Sequence, residues 1–98
     1  MIIKGGENIY PREIEEVIVT HPKVVECGVV GIEDKVYGED IKAFVALKPG
    51  EEASEDEIIE HCRQRLTGFK TPRSVQFVSD LPKNIMGKML RRELRKLH

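Results

Sequence analysis

Proline and glycine cut this chain into short segments, and this spacing limits the regular structure that can form between the breaks. The breaks fall at Pro22, at Pro49-Gly50 and at Pro82. Helical and strand-like hydrophobic patterns alternate between them, and the strand-like segments are few and short. We therefore predict an α+β fold, in which a sheet of about three strands and its helices form two layers within a single domain, residues 1–98.

The hydrophobic patterns locate each element. Residues 1–10 contain Gly5-Gly6 and are predicted to form a hairpin or loop, since glycine allows a positive φ and a close backbone approach. Helices are predicted from Pro11 to the break at Pro22, from a capping box at Ser54–Glu57 to Gly68, and near the C-terminus, with strands at 24–32, 41–47 and 74–78. The side chains predicted to face the core are Ile14, Val17, Ile18, Val25, Cys27, Val29, Ile58, Ile59, Cys62, Leu66, Val75, Phe77, Leu90, Leu94 and Leu97.

The charged residues are segregated along the chain. Residues 1–60 carry six basic and fifteen acidic side chains, whereas residues 61–98 carry ten basic and two acidic. This fits either an anionic partner for the C-terminal third or ion pairs inside the fold. Cys27 and Cys62 lack metal-ligand spacing and are predicted to be buried free thiols, so no metal site is expected. The absence of a long apolar run favours a cytoplasmic chain without a membrane segment.

The segment PKNIMGKMLRREL, residues 82–94, holds the residue best suited to chemistry. Lys88 follows Gly87, which allows a tight turn, and precedes a basic helix. The residues predicted to lie on the outer side of that helix are Arg91, Arg92, Arg95 and Lys96. Such a lysine can bring positive charge to an anionic reaction centre, but the same residues could also form a solvated basic tail.

Two separated stretches of the chain form a more specific pattern together than alone: KGGENIYPREIEE, residues 4–16, and PKNIMGKMLRREL, residues 82–94. The first resembles the loop and helix that open the C-terminal domain of the adenylate-forming superfamily, and the second resembles the motif that carries the mobile lysine of that domain. The stretches VVGIEDKVYGEDIKAFV and LTGFKTPRSVQFV resemble the same domain in order and spacing, so the resemblance covers essentially the whole chain. The GGEN and FKTP sequences are most similar to those of acyl-CoA synthetases.

This resemblance implies part of an ATP-dependent acid-thiol ligase that works in two steps. A carboxylate attacks the α-phosphate of ATP to give an acyl-adenylate and pyrophosphate, and the thiol of coenzyme A then displaces AMP. Lys88 would stabilise the first step, and the domain would then swing so that the loop of Gly5, Gly6 and Glu7 serves the second. By the same resemblance, the coenzyme A nucleotide would lie near Tyr37, Phe69, Lys70 and Arg73, through ring stacking and phosphate contacts.

The resemblance also implies a partner domain. The superfamily's large N-terminal domain, with its ATP loop, carboxylate pocket and magnesium site, is missing from these 98 residues. We therefore expect this chain alone to be inactive and to bind neither ATP nor coenzyme A tightly. It would be either part of a longer enzyme or a separately encoded piece. The identity of the carboxylic acid stays open, as does the choice between coenzyme A and a carrier-protein thiol.

A different class of function is a free-standing anion-binding, nucleic-acid-binding or regulatory module. Residues 83–98 contain no Phe, Tyr or Trp on which a base could stack, and the acidic N-terminal part would repel a long polyanion. These features argue against nucleic acid as a partner. Tight, steeply salt-sensitive binding of single-stranded nucleic acid would favour the module.

Overall fold

The computed structural model describes residues 1–98. Its strands are β1 (Ile2–Lys4), β2 (Glu7–Ile9), β3 (Val24–Asp34), β4 (Gly38–Leu47) and β5 (Ser74–Phe77). Its helices are α1 (Pro11–Ile18), α2 (Glu55–Arg63) and α3 (Arg91–Leu97), and a 3₁₀ turn spans Gly68–Lys70. None of these helices has the length and apolar content needed to span a lipid bilayer.

Strand β4 forms the centre of a three-stranded mixed sheet. It pairs with β3 in antiparallel orientation and with β5 in parallel orientation. The turn between β3 and β4 is tight, because the Asp34 carboxylate accepts hydrogen bonds from the backbone N–H groups of Val36 (3.0 Å) and Tyr37 (2.9 Å). Both strands extend closer to this turn than their predicted ranges, 24–32 and 41–47, because the hydrogen bonds to Asp34 close the turn within residues 35–37.

The sheet buries side chains on both faces, because successive residues of β3 and β4 point to opposite sides. One face packs against α1, α2 and the strands β1 and β2. The sheet and these elements together bury Ile2, Ile9, Ile14, Ile18, Val24, Cys27, Val29, Ile41, Ala43, Val45, Ile58, Cys62 and Val75. The other face buries Val30, Phe44, Leu81 and Leu94 and is covered by α3. The predicted α+β class with a three-stranded sheet is confirmed, and α3 adds cover on the second face.

The residues before α1 form a β-hairpin. Strands β1 and β2 pair with Lys4 opposite Glu7, so Gly5-Gly6 makes a two-residue turn. The two glycines have positive φ values of 57° and 83°. A two-residue hairpin turn of type I′ requires a positive φ at both positions. Of the two forms predicted for this segment, the structure contains the hairpin.

Strand β3 contains a bulge that breaks the predicted alternation. The pairing register shifts between Val24 and Glu26, which leaves Val25 without a partner. The Val25 side chain is 53% exposed, so the prediction that it faces the core was wrong. Because the bulge adds one residue, Val24 before it and Cys27 after it lie on the same face of the sheet. Cys27 and Val29 are buried on that face, as predicted.

Helix α2 begins as predicted but ends earlier. The Ser54 hydroxyl accepts a hydrogen bond from the Glu57 backbone N–H at 3.1 Å. A capping box also requires the Glu57 carboxylate to accept from the backbone N–H of Ser54. Here this carboxylate lies 3.0 Å from the Nε2 atom of His21 instead, so only half of the predicted capping box forms. The helix ends at Arg63, and Gly68 begins the 3₁₀ turn instead of terminating the helix.

Helix α3 carries a shorter apolar stripe than predicted. Leu94 is fully buried, and Leu90 is partly buried at the residue that precedes the helix. Leu97 is half exposed, because the last turn of the helix lies outside the second apolar cluster.

Cys27 and Cys62 are buried free thiols, as predicted. Burial raises the pKa of Cys27 to about 12, and the nearby Glu15 carboxylate adds to the effect. Burial likewise raises the pKa of Cys62 to about 11. Both thiols therefore stay protonated near neutral pH and pack as small apolar side chains.

Gly28 sets the distance between the sheet and α3. A Cβ atom at this position would lie 2.4 Å from both Leu94 Cδ1 and Met89 Sδ, closer than real Cβ atoms approach. Leu94 is fully buried and has little space to move into. We expect Gly28→Ala to lower the free energy of unfolding by about 1–3 kcal/mol in urea denaturation.

Gly68→Ala is the control for this substitution, because a Cβ atom on Gly68 would meet no atom within 4 Å. Equal losses of stability in the two variants would contradict the close approach at Gly28.

Candidate functional site

Lys88 lies on a loop whose backbone is fixed by local hydrogen bonds. The side-chain oxygen of Asn84 accepts hydrogen bonds from the backbone N–H groups of Met86 (2.9 Å) and Lys88 (3.0 Å). The Asn84 N–H donates to the Lys88 carbonyl, and the Gly87 N–H donates to the Asn84 carbonyl, both at 2.9 Å. Gly87 adopts a φ of 82°, which closes the turn. We refer to residues 84–88 as the lysine loop.

The ammonium group of Lys88 is free within this chain. Its side chain is exposed and takes part in none of the ion pairs that the structure contains. Lys83, just before the loop, differs: its Nζ lies 2.9 Å from both Asp80 Oδ1 and Glu26 Oε2. Hydrogen bonds to these two carboxylates raise the pKa of Lys83. Lys83 therefore anchors the base of the loop, whereas Lys88 is available to another molecule or domain.

A partly buried ion pair joins the start of α3 to α1. Arg91 makes a bidentate contact with the Glu15 carboxylate, in which Nη2 donates to Oε1 at 3.0 Å and Nη1 donates to Oε2. The backbone of Val29 binds both partners: its carbonyl accepts from Arg91 at 3.2 Å, and its N–H donates to Glu15 at 2.8 Å. The prediction that Arg91 lies on the outer side of the helix was wrong. Its guanidinium binds the Glu15 carboxylate and the Val29 carbonyl, and the side chain therefore lies against β3.

The second candidate site consists of the glycine hairpin and two aromatic rings. The Gly5 N–H donates to the Tyr37 carbonyl at 2.8 Å. The rings of Tyr37 and Phe69 meet edge to face, with their centroids 5.5 Å apart. A Cβ atom on Gly5 would lie 3.2 Å from Phe69 Cζ, whereas one on Gly6 would meet nothing within 4 Å. A side chain on Gly5 would therefore crowd Phe69 at a φ of 57° that already favours glycine, whereas Gly6 leaves the backbone open at the tip.

Lys4, to which we assigned no role from sequence, is buried beside these rings. Its Nζ lies 3.1 Å from Asp40 Oδ1 and donates to the Phe69 carbonyl at 3.0 Å. The same atom lies 4.5 Å from the Phe69 ring centroid and 5.0 Å from that of Tyr37. These contacts compensate a buried charge and attach the hairpin to β4. Strand alternation could have revealed this burial, since Lys4 shares a face with the buried Ile2.

The two cations predicted near the coenzyme A phosphate are paired inside the chain. Lys70 Nζ lies 3.1 Å from Glu13 Oε1. Arg73 Nη1 lies 2.6 Å from Asp34 Oδ1 and 3.7 Å from Asp40 Oδ2. Both cations are partly exposed, so these pairs are weak and a phosphate could compete for either cation.

Ion pairs between the acidic and basic parts of the chain account for some of the charge segregation. These pairs are Lys70–Glu13, Arg73–Asp34, Arg73–Asp40, Lys83–Glu26 and Arg91–Glu15. The side chains of Lys88, Arg92 and Arg95 form no ion pair, so positive charge remains on the lysine loop and the outer side of α3.

The structure brings together Gly5, Gly6, Tyr37 and Phe69, and places Glu7 exposed on the same hairpin. The lysine loop lies elsewhere. The hairpin packs through β1 and β2 into the first apolar cluster, whereas Met89, directly after the lysine loop, packs against the second. The two candidate sites are thus anchored to opposite faces of the sheet.

Comparisons with known proteins identify the class of domain to which this fold and these two loops belong. The profile of the AMP-binding enzyme C-terminal domain matches residues 13–88. A 2-succinylbenzoate–CoA ligase of Bacillus mycoides (strain KBAB4) is 52% identical over 97 residues, and a long-chain-fatty-acid–CoA ligase of Yersinia pestis is 48% identical over 95 residues. These alignments cover 99% and 97% of this chain but only 20% and 17% of the two relatives.

A solved structure shows the same arrangement. The Mycobacterium tuberculosis fatty acyl CoA synthetase matches this chain with a TM-score of 0.92 and 44% sequence identity, over 100% of this chain and 19% of that one. The chain belongs to the family of AMP-binding enzyme C-terminal domains, and the resemblance inferred from the two motifs is confirmed. It spans about one fifth of the length of the relatives that it matches.

The Glu15–Arg91 pair should stabilise the fold more than an exposed pair does, since its side chains are 14% and 38% exposed. We expect Glu15→Gln to lower the free energy of unfolding by about 1–3 kcal/mol, because Arg91 keeps its charge while its partner loses its own. The control is Arg12→Gln, because the Arg12–Glu16 pair is 86% and 70% exposed and pairs of this kind contribute about 0–1 kcal/mol. Urea denaturation measures both losses, and equal values would contradict the assignment.

Proposed function

We propose that this chain is the mobile C-terminal domain of an ATP-dependent acyl-CoA ligase. The observation that carries the proposal is the free ammonium of Lys88, which stands on an ordered loop in a family whose similar relatives are named as CoA ligases. The complete enzyme would convert a carboxylic acid, ATP and coenzyme A into acyl-CoA, AMP and pyrophosphate. A large domain outside this chain would hold the ATP, the carboxylic acid and magnesium, and the cytoplasm would be the site of action.

In the proposed adenylation step, the carboxylate oxygen forms a bond to the α-phosphorus of ATP and the bond to pyrophosphate breaks. Negative charge must be stabilised around the attacked phosphate in the transition state. Lys88 suits this role because its ammonium offers a point charge with three N–H donors on a flexible stem. It also breaks no internal ion pair when it approaches the phosphate.

In the proposed thioester step, the domain presents its other face to the acyl-adenylate. The open backbone at Gly6 would line the channel for the pantetheine arm, where a side chain would obstruct it. Glu7 would move with the same hairpin. The sulfur of coenzyme A would attack the acyl carbon, and AMP would leave.

The nucleotide of coenzyme A would contact the surface beside the hairpin. Tyr37 and Phe69 already pack against each other there, so adenine would stack on the outer side of this pair. Lys70 and Arg73 would exchange their carboxylate partners for phosphate oxygens. Because their existing pairs are partly exposed, this exchange costs little.

Lys88→Ala in the full-length enzyme should slow adenylation by a factor of about 10²–10³, because it removes charge stabilisation from the transition state. Thioester formation from a supplied acyl-adenylate should stay nearly unchanged. Adenylation is measured by ATP–pyrophosphate exchange, with 2-succinylbenzoate and a long-chain fatty acid as candidate acids, and thioester formation by acyl-CoA release. Lys48→Ala is the control, since Lys48 is also exposed and unpaired but lies outside both loops. Equal loss in both half-reactions would refute the role of Lys88.

Gly6→Val should slow thioester formation by roughly tenfold or more and slow adenylation less, because the side chain would enter the proposed channel. Within the domain the new side chain has open space, and only its φ of 83° imposes strain. Gly50→Val is a matched control, with a φ of 82° and equally open surroundings at a turn outside both sites. The half-reaction assays described above measure both variants. An unaffected thioester rate, or the same loss in Gly50→Val, would count against the channel.

A further inference from the structure

The tip of the lysine loop carries two apolar side chains that contact almost nothing in this chain. Ile85 is 102% exposed and Met86 is 85% exposed, the highest values among its large hydrophobic residues. Single exposed apolar residues are common on protein surfaces. Here, however, two of them are adjacent, and they directly precede Gly87 and Lys88.

This exposure belongs to an ordered loop. The side-chain oxygen of Asn84 binds the backbone on both sides of Gly87, and an isolated β-bridge joins Lys83 to Met89 at the base of the loop. The Leu90 N–H also donates to the Pro82 carbonyl at 2.9 Å. The chain thus holds Ile85 and Met86 out in solvent by its own hydrogen bonds.

We propose that Ile85 and Met86 form an apolar anchor that docks on the large domain of the same enzyme and holds the orientation in which Lys88 reaches ATP. This inference rests on the proposed function. The relatives are about five times longer than this chain, so most of such an enzyme lies outside it. Met86 and Lys88 are two residues apart, hence within about 7 Å along the backbone. A surface that receives the ammonium of Lys88 must therefore also meet the tip.

The anchor acts on the orientation of the domain and not on the chemistry. Contacts that exist in only one of two orientations shift the equilibrium toward it, and contacts common to both shift nothing. Apolar burial at the tip would favour the adenylation orientation alone. Lys88 would then supply the charge, and Ile85 and Met86 would supply the docking contact that keeps it in place.

The test uses the full-length enzyme with the double substitution Ile85→Thr and Met86→Gln, which keeps branching and length but removes apolar surface. The backbone hydrogen bonds to Asn84 persist, and neither residue is buried, so folding is preserved. A fluorescent donor on the large domain and an acceptor on this domain report the orientation with MgATP bound. The half-reaction assays run in parallel, together with Lys88→Ala and with Val25→Thr as the exposed apolar control.

We expect the double variant to reduce the ratio of adenylation-competent to alternative orientations by roughly tenfold or more, and to slow adenylation in proportion to the lost population. Thioester formation from a supplied acyl-adenylate should persist. Lys88→Ala should lose adenylation but keep the orientation, and Val25→Thr should change neither.

Several results would overturn the anchor. These are an unchanged orientation and adenylation rate in the double variant, equal slowing of both half-reactions, or the same effect from Val25→Thr. A change of oligomeric state in sedimentation velocity with unchanged half-reactions would assign the tip to contacts between copies, and would also overturn it. Loss of adenylation in Lys88→Ala would leave the proposed function standing in each case, whereas normal adenylation in that variant would refute the proposed function itself.

Discussion

Strand β4 is the constraint on which the rest of the structure depends. It is hydrogen-bonded along both edges, and every residue from Ile41 to Ala46 is buried. Since alternate side chains point to opposite sides, both faces of the strand must be covered. Helices α1 and α2 and the glycine hairpin cover one face, and α3 covers the other. This double burial is the reason that two surface loops, attached to different covering layers, stand on opposite sides of one small sheet.

Three consecutive residues of β3 receive the segment that follows the lysine loop. Gly28 leaves room for Leu94 and Met89, the backbone of Val29 binds the ion pair between α1 and α3, and Val30 packs in the second apolar cluster. Close packing, charge and backbone hydrogen bonding thus act within one short stretch. Helix α3 has only seven residues and offers little packing surface. These contacts therefore fix it against the sheet where a longer helix would rely on its own apolar face.

Sequence patterns predicted the features whose causes are local. The cap of α2 at Ser54 depends on neighbouring residues, and the adjacent glycines predicted a hairpin or loop without deciding between the two. The bulge at Val25 was not predictable in this way, because it depends on the register of a partner strand. Glu57 could have completed the cap of its own helix but contacts the distant His21, and Arg91 pairs with Glu15 on another helix, so both contacts depend on tertiary packing. Of the candidate sites, the turn at Gly87 that carries Lys88 was predicted from its motif, and the role of Lys88 stays a prediction. The burial of Lys4 required knowing the face of a three-residue strand.

The hydrogen bonds of Asn84 also affect the entropy cost of the docking that is proposed for this domain. They stay within residues 84–88, so the loop keeps its shape whether or not another domain touches it. Fixing a residue's backbone costs about 1–2 kcal/mol in conformational entropy. We propose that this domain changes between two orientations in every catalytic cycle. The backbone entropy of the lysine loop would then be lost only once, when the chain folds, and not again each time the domain docks. A loop that became ordered only on docking would repeat the loss in each catalytic cycle.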